Sequence, residues 1–125
     1  MSLNTHSLDL ESTSSQYASR ADTASLSVTG DLTIEMWISK ETDGLLSALV
    51  SKWNVFANNR SYIFMINTND TLLFSTSSNG SSEANASSTT TIKVAGGWTH
   101  VAVTYNAAAG TCAFYKNAVA IETGS

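Results

Sequence analysis

Between Asp31 and Ser39 the chain alternates without a break: Leu32, Ile34, Met36 and Ile38 fall on one parity, Thr33, Glu35, Trp37 and Ser39 on the other. A strand sends successive side chains to opposite faces, whereas a helix needs its apolar groups three or four residues apart, so this run folds as a strand or not at all. The same period of two recurs along the chain. Tyr62, Phe64 and Ile66 alternate with Ile63 and Met65 in Ser61 to Asn67, Leu72 and Phe74 share a face in Thr71 to Thr76, and Val101, Val103 and Tyr105 alternate with His100, Ala102 and Thr104. Shorter segments with the same character are Leu8 to Leu10, Ser14 to Ser19 around Tyr17, Leu49 to Trp53, Thr89 to Val94, Thr111 to Lys116 and Val119 to Glu122. Turn residues separate them at Gly30-Asp31, Asn67 to Asp70, Gly96-Gly97, Asn106 to Gly110 and Asn117-Ala118. No segment has a convincing helical period, and Leu45 to Val50 is too short to make one. The expected fold is an all-β antiparallel β-sandwich in one domain spanning 1–125.

Ser and Thr make up 36 of the 125 residues. Aromatic and β-branched residues are spread among them, so this polarity belongs to outward strand positions and loops rather than to a disordered chain. The Ser-, Asn- and Gly-rich stretch from Ser77 to Ser88 is expected as a mobile polar loop. Two strands carry large apolar groups on both faces; Trp37, Ile63 and Met65 sit on the parity that a two-layer sandwich turns to water, and need cover from loops, sheet curvature or another subunit.

Charge narrows the partners. The net charge is −4 and Lys and Arg form no cluster, so nucleic acid is not an expected partner. No apolar run approaches the roughly 20 residues that span a bilayer, and Met1 to His6 has no basic region followed by an apolar run, as a secretory leader would. A single Cys112 leaves no disulfide framework and no thiolate zinc site.

Four segments in order resemble the laminin-G-like, concanavalin A-like jelly-roll domains. Ser7-Leu8-Asp9-Leu10-Glu11 with Ser15-Gln16-Tyr17-Ala18 looks like that family's first hairpin, and Leu32 to Ile38 (LTIEMWI) like its third strand. Leu49 to Trp53 (LVSKW) resembles the next, and Trp98 to Tyr105 (WTHVAVTY), followed by a hairpin and Phe114-Tyr115-Lys116-Asn117, is the strongest match. The resemblance covers nearly the whole chain. Where the family usually places Gly, Ala118 follows Asn117, so Asn117 is expected to take any positive φ in that turn. Family members also continue for several more strands. The sandwich is therefore expected to lack its C-terminal strands, either because the sequence is a piece of a longer chain or because self-association covers the apolar faces and open edges.

Related jelly-roll enzymes that cut β-glucans carry two or three carboxylates alternating on one strand, since acid and nucleophile must flank one bond. Here Glu35 is the sole carboxylate in a strong strand, flanked by Thr33 and Trp37, and is expected to make a structural hydrogen bond or to face water. No catalytic residue is assigned. His100 in the Trp-x-His-Val motif is expected to pack and hydrogen-bond, and Cys112 to be a small buried hydrophobe. Some family members bind calcium, but Asp43 and Asp70 stand isolated in loops, so no metal and no cofactor is assigned.

Carbohydrate recognition, the family's common non-enzymatic role, needs aromatic faces for sugar C–H surfaces and amide or guanidinium groups for hydroxyls. Trp53, Asn54, Phe56, Asn58, Asn59, Arg60 and Tyr62 combine these in one stretch; the competing reading has Trp53 and Tyr62 capping the core while the Asn residues make turns. The leading expectation is a non-catalytic binding or adhesion module for a glycan or a protein surface, placed outside the cell or on a virion or cell surface. The alternative is a self-assembling structural protein, a capsid-decoration, fibre or filament subunit, built as a homo-oligomer whose jelly rolls are completed by neighbouring chains. A glycoside hydrolase survives only if further strands supply the carboxylates.

Overall fold

The computed structural model describes residues 5–124; the opening Met1 to Asn4 lies outside them. Eight strands are formed among these residues: β1 (Leu32–Ile38), β2 (Ser47–Asn54), β3 (Asn59–Ile66), β4 (Thr71–Thr76), β5 (Ala84–Thr91), β6 (Thr99–Asn106), β7 (Thr111–Lys116) and β8 (Val119–Gly124). They make two four-stranded sheets, in the orders β1-β6-β7-β8 and β2-β3-β4-β5, with every pairing antiparallel. This is the expected all-β sandwich of jelly-roll type.

The core lies between the middles of the sheets. Phe64, Ile66, Leu72 and Phe74 from β3 and β4 meet Val101, Val103, Cys112 and Phe114 from β6 and β7, with Ile92 and Val94 closing one side. In β3, β4 and β6 the buried parity is the one that alternation predicts. Cys112 is buried as a small apolar group should be. On one flank β8 lies across from β5, and the two sheets are joined there by Glu122, whose Oε2 accepts both the Thr89 N–H and the Thr89 hydroxyl, each at 2.6 Å. On the other flank β1 and β2 are the last strands of their sheets, each hydrogen-bonded on one side. The inward row of β1, Leu32, Ile34, Met36 and Ile38, is consequently half-buried rather than sealed.

Three local expectations are corrected. Residues 5–30 contain no strand, so the hairpin expected from Ser7 to Ser19 is absent; single 3₁₀ turns stand at Ser12–Ser14 and Ala24–Leu26. Leu8, Leu10 and Tyr17 are exposed, the last at 80%. An isolated two-stranded hairpin is marginal in water, and no strand is offered against which this one would bury its leucines. The polar stretch after Ser77 is a loop only as far as Glu83, and β5 begins at Ala84, ahead of the strand expected over Thr89 to Val94. As an edge strand exposing one face, β5 needs little apolar surface, so its Ser and Thr hide it from a hydrophobic pattern. In the β7–β8 turn, Ala118 as well as Asn117 is left-handed, with φ of 64° and 50°. A two-residue hairpin loop in which both central residues have positive φ matches the strand twist, so register imposes on Ala118 a conformation that Gly would adopt without cost.

Trp37 does not acquire full cover: it is 64% exposed. Ile63 is buried and Met65 half-buried on the outer face of the other sheet.

The Thr89 hydroxyl, and then its amide, hold the Glu122 carboxyl below its ordinary pKa of 4.5. A carboxyl whose folded pKa is depressed contributes stability that is present above the unfolded value and is lost as pH falls through the folded one. Glu122→Gln is therefore expected to be less stable than the parent at neutral pH, with the gap closing in acid. Thermal unfolding of both proteins from pH 7 to pH 3 measures this, and a pH-independent gap counts against the β5–β8 clasp.

Candidate functional site

One end of the sandwich gathers the tip of the β2–β3 hairpin, the loop between β4 and β5, the segment leading into β1 and the end of β6. At the hairpin tip Asn54 Oδ1 accepts the N–H groups of Phe56 and Ala57 at 3.1 and 3.3 Å, the Asn58 N–H donates to the Val55 carbonyl, and Asn58 takes φ of 48°. Asn54 and Asn58 thus build the turn, as Asn does where a side chain substitutes for backbone pairing. Phe56 stands fully exposed on that turn.

Below the tip, Trp53 and Arg60 are cross-strand partners, as are Asn54 and Asn59. The Arg60 guanidinium lies 5.9 Å from the Trp53 ring centre, a cation–π contact. Its Nη1 donates to the carbonyls of Gly80 (3.3 Å) and Ser81 (2.5 Å), and its backbone N–H also donates to Gly80. Its Nε is buried without a hydrogen-bond partner. Arg60 therefore fastens the β4–β5 loop to the hairpin.

That loop is folded around its own polar groups. Asn79 Oδ1 accepts the N–H groups of Ser81 (3.0 Å) and Ser82 (2.8 Å), Ser77 Oγ accepts the Gly80 N–H, and the Ser77 N–H donates to the Ser61 carbonyl. Gly80 has φ of 81°, and a Cβ there would collide with the Asn58 carbonyl. Only glycine lets the loop and the hairpin tip approach this closely.

Between these parts opens a cleft of about 540 Å³. Tyr62 and Tyr105 line it with Ser27, Thr29, Ser61, Thr76, Ser77, Ser78 and Ser82, with Glu83, and with the apolar Val28 and Leu32. Both tyrosines are anchored: Tyr62 and Tyr105 pack against the core, and the Tyr105 ring lies 5.6 Å from that of Phe74. Beside the cleft the Lys52 Nζ pairs with Asp22 at 2.9 Å and donates to Ser27 Oγ at 2.7 Å, tying the segment ahead of β1 to β2.

Of the seven residues singled out by sequence, Tyr62 lines the cleft; Trp53 and Arg60 stand next to it, and Asn54, Phe56, Asn58 and Asn59 form the projecting tip. Tyr105, Glu83, Ser61, Thr76 and Thr29 were not singled out. Tyr105 is visible only as the last residue of a strand motif, and nothing local marks the others, since the topology brings them together from distant segments.

The remaining candidates serve elsewhere. On the outer face of the first sheet His100 Nε2 lies at ion-pair distance, 3.4 Å, from a Glu35 carboxylate oxygen and its ring meets Trp37 edge-on at 5.5 Å; the imidazole packs, the His100 backbone N–H donates to Asn117 Oδ1, and Glu35 faces water. Asp43 Oδ1 accepts the N–H groups of Val94 and Ala95 at 2.9 and 3.0 Å, and Asp70 Oδ1 accepts that of Gly44 at 2.6 Å. Both are loop ties, and among the described residues no three His, Cys, Asp or Glu side chains come together as a metal site would need.

Comparison with known proteins bears on the family. Residues 12–125 match the laminin G-type family model described as the concanavalin A-like lectin/glucanases superfamily. Among solved structures, the chain is similar to the native heptameric SAP-like pentraxin from Limulus polyphemus, at 20% identity over 77% of this chain and 43% of that one, with a TM-score of 0.49. The chain thus spans less than half the length of that protein. No curated protein matches it significantly.

Gly80→Ala is expected to cost about 1–3 kcal/mol in urea unfolding, because it combines a positive φ with a backbone collision. It should also speed amide exchange at Arg60, whose N–H bonds to Gly80. Unchanged stability and exchange would sink the claim that Gly80 locks the loop to the hairpin.

Proposed function

The chain belongs to the concanavalin A-like lectin/glucanases superfamily, and we propose that it works as a non-catalytic binding module that takes a carbohydrate in the cleft at the end of its sandwich. The observation that carries this reading is the cleft itself: about 540 Å³, within the range of small-ligand sites, lined by seven Ser and Thr side chains and two anchored tyrosines. A sugar presents both C–H faces and a ring of hydroxyls, and such a surface satisfies both at once. The exposed Phe56 and the Trp53–Arg60 pair form a rim on which a longer saccharide or a protein surface can rest.

The superfamily's name spans lectins and glucanases, and the carboxylates favour the former. Glycoside cleavage in most families needs two carboxyl groups flanking one bond, about 5–9.5 Å apart. Among the described residues the cleft lining carries one, Glu83, while Glu35 lies on the outer face of the other sheet beside His100.

A second reading, self-assembly into a homo-oligomer, rests on a different observation. The β1 edge is unpaired, its inward row is half-buried, and Trp37 and Trp98 are 64% and 58% exposed. Open edges and exposed apolar groups of this kind are what neighbouring chains cover. Sedimentation over a wide concentration range tests it: association that weakens in Trp37→Ser supports it, and a well-folded monomer at high concentration removes it.

For the binding reading, a glycan array followed by calorimetry is expected to find ligands whose affinity falls about tenfold or more in Tyr62→Phe, which keeps the ring and removes the hydroxyl; loss of a hydrogen bond to a polar ligand has that scale. Phe56→Ser is expected to leave stability unchanged and to weaken long saccharides more than short ones. Absence of any bound glycan would overturn the reading.

A further inference from the structure

Resting on the reading of the cleft as a saccharide site, we infer that the cleft selects its sugar by charge: it prefers saccharides carrying a protonated amine over neutral ones and excludes uronate-, sialate- or sulfate-bearing ones, with Glu83 as the selecting residue. Glu83 is exposed and lines the cleft, and its carboxylate makes no hydrogen bond or ion pair within the described residues. No Lys, Arg or His is among the described residues that line the cleft. The two nearby cations already hold protein partners. Lys52 pairs with Asp22 and donates to Ser27, and Arg60 donates to the carbonyls of Gly80 and Ser81.

An acidic sugar entering the cleft must give up hydration without gaining a cationic donor, and it meets a carboxylate of its own sign. A neutral sugar avoids both costs. A protonated amino sugar gains a charge-assisted hydrogen bond to an acceptor that no protein group already occupies. Because Glu83 is at the surface, the preference is modest and weakens with salt.

The test uses the full chain on an array bearing neutral, amino-bearing and acidic glycans on common backbones, at mildly acid pH and low ionic strength. The expected hits are neutral and amino-bearing glycans, with the amino form of a given backbone bound about three- to fivefold more tightly than the neutral one. Glu83→Gln is expected to abolish that ratio and to admit acidic glycans, with thermal stability unchanged; added salt should shrink the ratio in the parent only. Hits that are predominantly acidic, or an amino preference that survives in Glu83→Gln, overturn the inference while leaving the saccharide site standing. Binding of no glycan of any charge class overturns both.

Discussion

The stacking of Phe64, Ile66, Leu72 and Phe74 against Val101, Val103, Cys112 and Phe114 is the contact on which the rest of the molecule depends. These side chains come from the two middle strands of each sheet, and they are the part of the sandwich from which water is fully removed. Burial of apolar area is the dominant favourable term in folding, so the middle strands hold the sheets in register and the outer strands are carried by them. On the β5–β8 flank a carboxylate bridge adds a polar tie between the sheets. On the β1–β2 flank Lys52 reaches the segment ahead of β1 at Asp22 and Ser27, but among the described residues no side chain bridges the two edge strands themselves, and the inward row of β1 stays half-buried.

This asymmetry gives the two readings of function separate physical bases. The open flank and the indoles of Trp37 and Trp98 are apolar surface without cover, which favours association. The cleft is the opposite kind of surface. It sits at the end of the sandwich, where strands finish and loops begin; its tyrosines are held by packing on the core and its loop walls by hydrogen bonds. Arg60 reaches from the hairpin to two loop carbonyls, Asn79 folds the loop on itself, and Gly80 permits the closest approach. Polar walls fixed in this way can meet a hydroxylated ligand without prior rearrangement, which lowers the cost of binding.

The corrected elements share one cause. Local pattern identifies a strand when one face is apolar, and it did so for β1, β3, β4, β6 and β7. It reached only the end of β5, Thr89 to Thr91, because Ser and Thr carry a strand defined by its pairing with β4, and it erred in the other direction at Leu8 and Leu10, whose alternation finds no partner strand among the described residues. The turn at Asn117 and Ala118 fits the same rule: propensity favoured one left-handed residue, and hairpin register required two. For the site, the hairpin cluster from Trp53 to Tyr62 was legible because it is contiguous. Glu83, Thr76 and Tyr105 were not, because each is unremarkable among its own neighbours.

By itself the sequence determined the class of fold, the faces that turn inward, the family resemblance and the partners that its charge disfavours, since alternation, composition and net charge are properties of the chain read in order. Only the tertiary structure decided which polar residues would share a wall, which edge would be left open, and that the guanidinium of Arg60 would fasten a loop to the hairpin. Those outcomes depend on distances between residues far apart in the chain, and such distances are set by sheet order and register, for which a local pattern carries no measure.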